Sequence, residues 1–358
     1  MTIQYDYSTL IGGFRPYHLG HHKVVCEGLA KSDFVIIVVG SNNRSRSTRL
    51  PFTAKERIRM IRAGLDDELS QRVLITSVPD FAYNDTRWNA AVQAAVQKQI
   101  AINNIRGVKY TNRGFKDYNN SIALLGMYKD GTSYYLNNFP QWNKSIAVAP
   151  EVDDGTVLSA TAIRNKLFNG ELDYDKDMIP AVKAEMLKII DEMGDEWDRL
   201  KSDWNYEQKY SSIYGHGPFI TVDACVVQAG HVLLVERGGD YGKGLLAMPG
   251  GFLNRNEKIR DGMIRELREE TRIKVPEKVL RGSITETEVF DDPFRSNRAR
   301  IITHAFKIEL NNDPNGLPKV VGSDDAAKAK WYPISSIANM PHMFFEDHFF
   351  CLSKLLEI

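Results

Sequence analysis

Apolar and polar positions along this chain fall into blocks that read as strand, turn and helix in a repeating order. Ser8 to Ile11 suits a short strand, and a glycine turn follows at Gly12-Gly13. Val24, Val25 and Leu29 then recur at helical spacing. Phe34 to Val39 is apolar throughout and rich in β-branched residues, as a strand buried on both faces should be. Strand, turn, helix and buried strand make a βαβ unit. Thr53 is expected to cap a helix, with Glu56 completing a capping box. Further strands are expected at Val73–Val78 and Ile122–Met127, and Ser159 is a second N-cap candidate. Pro180 opens a helix expected to reach about Ser202, with Gly194 as its weak point. Tyr206 to Gly217 is polar and mixed, and the domain boundary is expected there. Beyond it, Phe219–Val227 and Val232–Val235 predict a hairpin around Ala229-Gly230, and Ile301–Ile308 a further strand.

Composition narrows the picture. A chain of 358 residues is comfortable for two domains. Its 46 basic and 46 acidic residues balance, so no global field points to nucleic acid or a membrane surface. The longest strongly apolar run, Phe34–Val39, is far short of a membrane span, and the N-terminus lacks a signal-peptide pattern. Cys26, Cys225 and Cys351 have no metal-ligand spacing, which suggests reduced, mostly buried thiols and a cytoplasmic setting. The sequence leaves a homo-oligomer open.

Candidate chemistry gathers at three places. Glu266, Glu269 and Glu270 stand at i, i+3 and i+4, so a helix presents all three carboxylates on one face. Like charges that close repel, and a hard divalent cation, Mg2+ or Mn2+, would reverse the cost. The Met248-Pro249-Gly250-Gly251 run before them reads as a turn where backbone passes close to something. The turn at Gly12 places His18 and His21 at a helix N-terminus, where phosphate binds readily. The helix capped by Ser159 begins with Thr161 and Arg164.

The stretch Gly251, Glu257, Arg265, Glu266, Leu267, Glu269, Glu270, Ile273 resembles the Nudix box of Mg2+-dependent hydrolases. It departs at Arg272, where that family has a glycine past the helix; a different helix exit is expected. Gly12-x-Phe14-x-Pro16-x-His18-x-Gly20-His21 resembles the nucleotidylyltransferase superfamily, as does Ser159-x-Thr161-x-x-Arg164. The Pro51-Phe52-Thr53, Tyr83-Asn84-Asp85 and Ser133-to-Trp142 stretches are similar to archaeal-type nicotinamide mononucleotide (NMN) adenylyltransferases fused to a Nudix domain. Tyr128 departs from the histidine expected there.

That resemblance implies an α/β fold in two parts. Residues 1–190 would form a doubly wound, Rossmann-like nucleotidylyltransferase domain, 191–217 a linker, and 218–358 a Nudix α/β/α sandwich. The first would transfer an adenylyl group from ATP to NMN, with His18, His21 and Arg164 catalytic. Gly12, Phe14, Arg15, Ser159, Thr161 and Arg164 would bind ATP, and Asn84 and Trp88 NMN. The second would hydrolyse ADP-ribose, with Glu266, Glu269 and Glu270 holding Mg2+ or Mn2+. Gly250, Gly251, Arg295 and Arg298 would bind ADP-ribose. The rival reading is another nucleotidylyltransferase, of pantetheine-phosphate or flavin type, fused to a Nudix domain that senses ADP-ribose without cleaving it. Glu346-Asp347-His348 fits a surface helix at least as well as a part of the second site.

Overall fold

The computed structural model describes residues 3–105, 121–126, 135–146, 158–171, 173 and 175–358. The chain divides into two compact units, Met1–Asn43 with Arg49–Gly194, and Arg44–Thr48 with Asp195–Ile358.

The first unit contains β1 (Tyr5–Gly12), α1 (Leu19–Lys31), β2 (Ser32–Val39), α2 (Ala54–Ala63), α3 (Asp67–Arg72) and β3 (Val73–Ser77). It continues with α4 (Asp85–Ile105), β4 (Ile122–Gly126), β5 (Asn143–Ile146), α5 (Ala160–Phe168) and α6 (Pro180–Met193). The strand order is β3-β2-β1-β4-β5, and these pairings are parallel. Side chains alternate across the pleat. Val35, Ile37 and Val39 of β2 pack with Val25, Ile61 and Val182 on one face. Phe34, Ile36 and Val38 pack with Val92, Val96 and Ile100 of α4 on the other. This is the doubly wound sheet expected from the sequence. Strand order reverses between β1 and β4, and such sheets bind ligands at the carboxyl ends beside that reversal. Thr53 caps α2 and forms the expected box with Glu56.

The second unit contains α7 (Asp195–Tyr214), β6 (Phe219–Gln228), β7 (His231–Arg237), β8 (Leu246–Ala247), β9 (Gly250–Phe252) and α8 (Ile259–Thr271). It continues with α9 (Glu277–Gly282), β10 (Ile284–Phe290), β11 (Ile301–Glu309), β12 (Ala326–Pro333), α10 (Ile334–Ile337) and α11 (His348–Leu355). The sheet runs β10-β11-β6-β7-β12, with β8 on β7 and β9 on β6. Met263, Ile264 and Leu267 of α8 pack against Val222, Ala224 and Val226 of β6. The β6–β7 hairpin turns at Ala229 and Gly230, both at positive φ, as a tight two-residue turn requires.

The expected linker is the main revision. Gly194, at φ +54, ends α6, and most of 191–217 is the helix α7. The reason is chemical. Of the buried α7 residues Leu200, Asp203, Glu207 and Tyr210, two are acids, so the inward face does not read as apolar. Cys225 and Cys351 are buried as expected, whereas Cys26 is exposed. Among the described residues, no helix is long and apolar enough to cross a membrane.

Candidate active sites

In the first unit, β1 ends at Gly12 and the chain turns at Phe14, which takes φ +48. Phe14 was expected to face ATP, yet its ring is buried in the core, packed so tightly over Gly12 that a Cβ there would lie 3.0 Å from it. Only its backbone can serve the site. His18 is the N-cap of α1, and its Nδ1 accepts the Gly20 N–H at 3.1 Å. In the neutral ring that bond leaves the proton on Nε2. The His18 and His21 ring centroids are 3.8 Å apart.

Arg164 closes the other side. Its Nη1 donates to the Arg15 carbonyl at 2.7 Å and its Nη2 to Thr161 Oγ1 at 3.0 Å. Arg15 in turn donates to Ser41 Oγ. Ser159 accepts from the Thr161 N–H at 3.3 Å and caps α5, as expected. Burial, with Arg15 and then Arg49 beside it, pushes the Arg164 guanidinium down to about 10. Several cations therefore share one partly desolvated place, which disfavours charge until an anion arrives.

Trp88, on α4, is half-buried, with Phe139 and Tyr135 rings at 6.1 and 6.4 Å. It belongs to the margin of the core rather than its centre. Asn84 is exposed, and its Oδ1 accepts the Arg87 N–H at 3.0 Å, so half of its amide is engaged at the start of α4. Tyr128 lies outside the described residues.

In the second unit, Glu266, Glu269 and Glu270 all line a cleft of about 350 Å3, together with Gly250, Gly251, Arg295 and Arg298. The two glycines are required by close approach. A Cβ on Gly250 would lie 2.2 Å from the Val222 carbonyl, and one on Gly251 2.6 Å from the Glu266 carboxylate. Gly250 N–H donates to Glu270 Oε2 at 2.9 Å. Arg265 ties the helix face together, with Glu257 at 2.8 Å, Glu266 at 2.7 Å and Glu269 at 2.9 Å. Burial raises Glu270 to about 8, against the pull of the Gly250 N–H, and Glu266 adds to the rise. Burial also raises Glu266.

Arg272 takes φ 45 and ψ 33, with its N–H on the Arg268 carbonyl. The different helix exit expected for it is not found; arginine adopts the left-handed conformation that glycine takes more cheaply.

Arg295 is held by Asp347 through two bonds of 2.9 and 3.0 Å, both partners nearly fully buried. The Arg298 guanidinium lies 4.9 Å from the Tyr241 ring centre, with Phe345 and Phe252 at 5.6 and 5.7 Å and Glu346 at 3.5 Å. The 346–348 stretch is therefore part of the cleft wall and not a surface helix. His348 is buried, and its Nδ1 accepts the Met248 N–H at 3.1 Å, pinning the glycine turn. Asp223 also faces the cleft and accepts from Thr303. Its signal was present in the sequence as one acid inside the apolar strand Phe219–Gln228. Glu207, on α7, accepts from Thr48 and Tyr241 at 2.8 and 2.9 Å, and burial pushes it up to about 7.

An all-carboxylate donor set suits a hard divalent cation, and burial weakens Glu266 and Glu270 as acids, with neighbouring carboxylates adding to the effect. Arg265 engages Glu266 and Glu269 meanwhile, and no group of three potential ligands is assembled to hold an ion among the described residues.

Comparison with known proteins gives both halves a lineage. Residues 9–165 match the cytidylyltransferase-like family and 217–352 the NUDIX domain. The nicotinamide/nicotinic acid mononucleotide adenylyltransferase of Acinetobacter baylyi is 30% identical over 169 residues, 47% of this chain and 79% of its own length. A crystal structure of the bifunctional NMN adenylyltransferase/ADP ribose pyrophosphatase from Francisella tularensis is 32% identical, covers 99% of both chains and superposes with a TM-score of 0.84. A second structure of that protein, complexed with AMP and a Mn ion, has 31% identity over 99% of both chains and a TM-score of 0.83. The chain belongs to the family of bifunctional NMN adenylyltransferase/ADP-ribose pyrophosphatases.

Proposed function

We propose that the first unit makes NAD from ATP and NMN, releasing pyrophosphate, and that the second hydrolyses ADP-ribose to AMP and ribose 5-phosphate. The observation that carries this reading is two chemically opposite sites, one in each unit. One gathers arginines and a histidine pair at the carboxyl end of β1; the other gathers carboxylates on α8.

In the first reaction an NMN phosphate oxygen attacks the α-phosphorus of ATP, and the bond to the β-phosphate breaks. Positioning and charge stabilisation suffice, so no protein nucleophile is needed. His18, with its proton held on Nε2, donates to a phosphate oxygen, and His21 stands beside it. Arg15, Thr161 and Arg164 take up charge on the departing pyrophosphate, with Gly12 and Ser159 shaping the turns that present them. Trp88 and the remaining half of the Asn84 amide receive the nicotinamide end.

In the second reaction water attacks one phosphorus of the ADP-ribose pyrophosphate, and the bridging P–O bond breaks. Glu266, Glu269 and Glu270 would hold Mg2+ or Mn2+, which when bound polarises the pyrophosphate and acidifies the attacking water. Arg265 orients those carboxylates, and the bare backbone of Gly250 and Gly251 lets the substrate approach them. Arg298 and the wall that Arg295 braces face the substrate. Three intact carboxylates argue for cleavage over sensing alone.

The test is product analysis of the whole protein, once with ATP, NMN and Mg2+ and once with ADP-ribose and Mg2+. NAD with pyrophosphate in the first, and AMP with ribose 5-phosphate in the second, is the expected result. Adenylylation of phosphopantetheine or a flavin phosphate in place of NMN would overturn the first half, and ADP-ribose bound but unchanged would overturn the second.

A further inference from the structure

Arg57 belongs to none of the motifs above, yet its side chain is fully buried. Its position is unfavourable on three counts. A buried charge is costly unless it is well partnered. It stands one turn into α2, at the helix end whose dipole favours anions. Among the described residues it forms no ion pair; Asp80 and Glu56 act on it only as more distant charges, and Arg15 opposes it.

What it has is five backbone carbonyls. Nη1 donates to Gly13 at 2.7 Å and Gly40 at 2.8 Å, and Nη2 to Ser41 at 3.0 Å. Nε donates to Phe52 at 3.1 Å and Thr53 at 3.3 Å. These acceptors come from three segments: the turn after β1, the turn after β2, and the lead into α2. Side chains lean toward the N-terminus of their helix, which is how Arg57 reaches back to all three. The segments are those that carry the triphosphate candidates. Gly13 is two residues from Arg15, Ser41 accepts from Arg15, and the Arg15 carbonyl accepts from Arg164.

We propose that Arg57 is a positioning residue for adenylyl transfer, whose planar guanidinium fixes the spacing of the turns after β1 and β2 and so sets Arg15 and Arg164 against the triphosphate. The inference rests on the reading that the first site takes ATP. A guanidinium can serve three segments at once because its donors form a rigid fork. A lysine ammonium keeps the charge but cannot span the same acceptors. Burial, and Arg15 after it, pulls Arg57 down to about 9, so it keeps its charge at neutral pH. That charge is paired with no carboxylate among the described residues, and it adds to the field an incoming triphosphate meets.

The experiment uses the whole protein and the variants Arg57→Lys and Arg57→Ala, assayed at a temperature where melting curves show each to be folded. The readouts are kcat and KM for ATP and NMN, ATP binding by calorimetry, and recovery of the alanine variant by added guanidinium ion. A displacement of about 1 Å remote from the reacting atoms can cost on the order of 10² in rate. The expected result is a fall in kcat of about that size for Arg57→Ala and about tenfold for Arg57→Lys, with KM for NMN within twofold of the parent. Millimolar guanidinium, and not ammonium, should restore at least about tenfold to Arg57→Ala. A kcat per folded molecule within threefold of the parent in Arg57→Lys, or losses that follow only the unfolded fraction, would overturn the proposal. If the parent makes no NAD, the reading of the reaction fails. Arg57 is then judged by ATP affinity, which should weaken about tenfold in Arg57→Lys; unchanged affinity would overturn its role.

Discussion

The two sites of this chain store charge of opposite sign. In the first unit burial and neighbouring arginines push Arg57 down to about 9 and Arg164 to about 10. In the second, burial pushes Glu270 up to about 8, with Glu266 raised beside it. Each shift reports the same physics, burial that disfavours the charged form, with a like charge beside it adding to the effect. The difference lies in what would discharge it. A polyanion would relieve the first, and a divalent cation the second. The scaffolding differs to match. Cations in the first site are steadied by backbone carbonyls, since carboxylates there would compete with phosphate. Carboxylates in the second are steadied by Arg265 and by a glycine N–H.

The comparison breaks most readily at Glu270. Glu270→Gln keeps shape and removes a charged ligand, and ADP-ribose hydrolysis should fall on the order of 10³-fold, since both a metal ligand and charge stabilisation are lost. Mn2+ affinity measured by calorimetry should fall with it, while NAD synthesis stays within twofold. Excess chelator should reproduce the loss of hydrolysis in the parent. Hydrolysis that persists through both treatments would make α8 a charged surface.

The next largest effect belongs to the first site. His21→Ala should lower adenylyl transfer about 10²-fold, the scale of one lost transition-state contact. Steady-state kinetics of NAD formation checks this, and an unchanged kcat would remove the histidine pair from the chemistry.

A smaller effect sharpens the acceptor side. Trp88→Ala should raise the KM for NMN about fivefold with little change in kcat or in the KM for ATP, since a lost stacking face is worth roughly 1 kcal/mol. Equal rises for both substrates would count against a nicotinamide-facing ring.

The smallest effect is on stability and concerns Glu207. Its folded value near 7 lies above the ordinary 4.5, chiefly through burial, with Glu346 adding to the rise and Thr48, Tyr241 and Asn297 opposing it. A raised folded value means the folded state holds the proton more tightly. The contribution is therefore full below about pH 4.5 and is lost as pH rises through about 7. Between pH 5.5 and 8 the Tm of the second unit should drop by a few degrees in the parent and less in Glu207→Gln. Parallel Tm curves would show that Glu207 does not titrate in this range.

Much of this was legible in the sequence because the site motifs are local. The Gly12–His21 turn, the Ser159–Arg164 helix start and the Glu266–Glu270 face each lie within one strand–turn–helix or one helix, so spacing alone places them. The two cap assignments, Thr53 and Ser159, depend only on neighbouring residues and were found as expected. What escaped depends on distant partners. Phe14 looked like a ligand residue because its motif surrounds one, but its ring completes the core. Helix α7 was expected as a helix only as far as about Ser202, because Asp203 and Glu207 occupy its buried face beyond that point, and acids are buried only when donors such as the Gly242 N–H and the Tyr241 hydroxyl stand opposite. His348 and Glu346 lie about a hundred residues from the glycine turn they flank. Arg57 reads as one more charged residue on an amphipathic helix until its carbonyl partners are seen.

The most direct test of two opposite, separate sites is one mixture holding ATP, NMN, ADP-ribose and Mg2+, incubated with the parent, His21→Ala or Glu270→Gln. NAD and ribose 5-phosphate are then quantified together. The parent should form both, His21→Ala ribose 5-phosphate at the parental rate with little NAD, and Glu270→Gln the reverse. A folded variant that loses both products together would contradict the account.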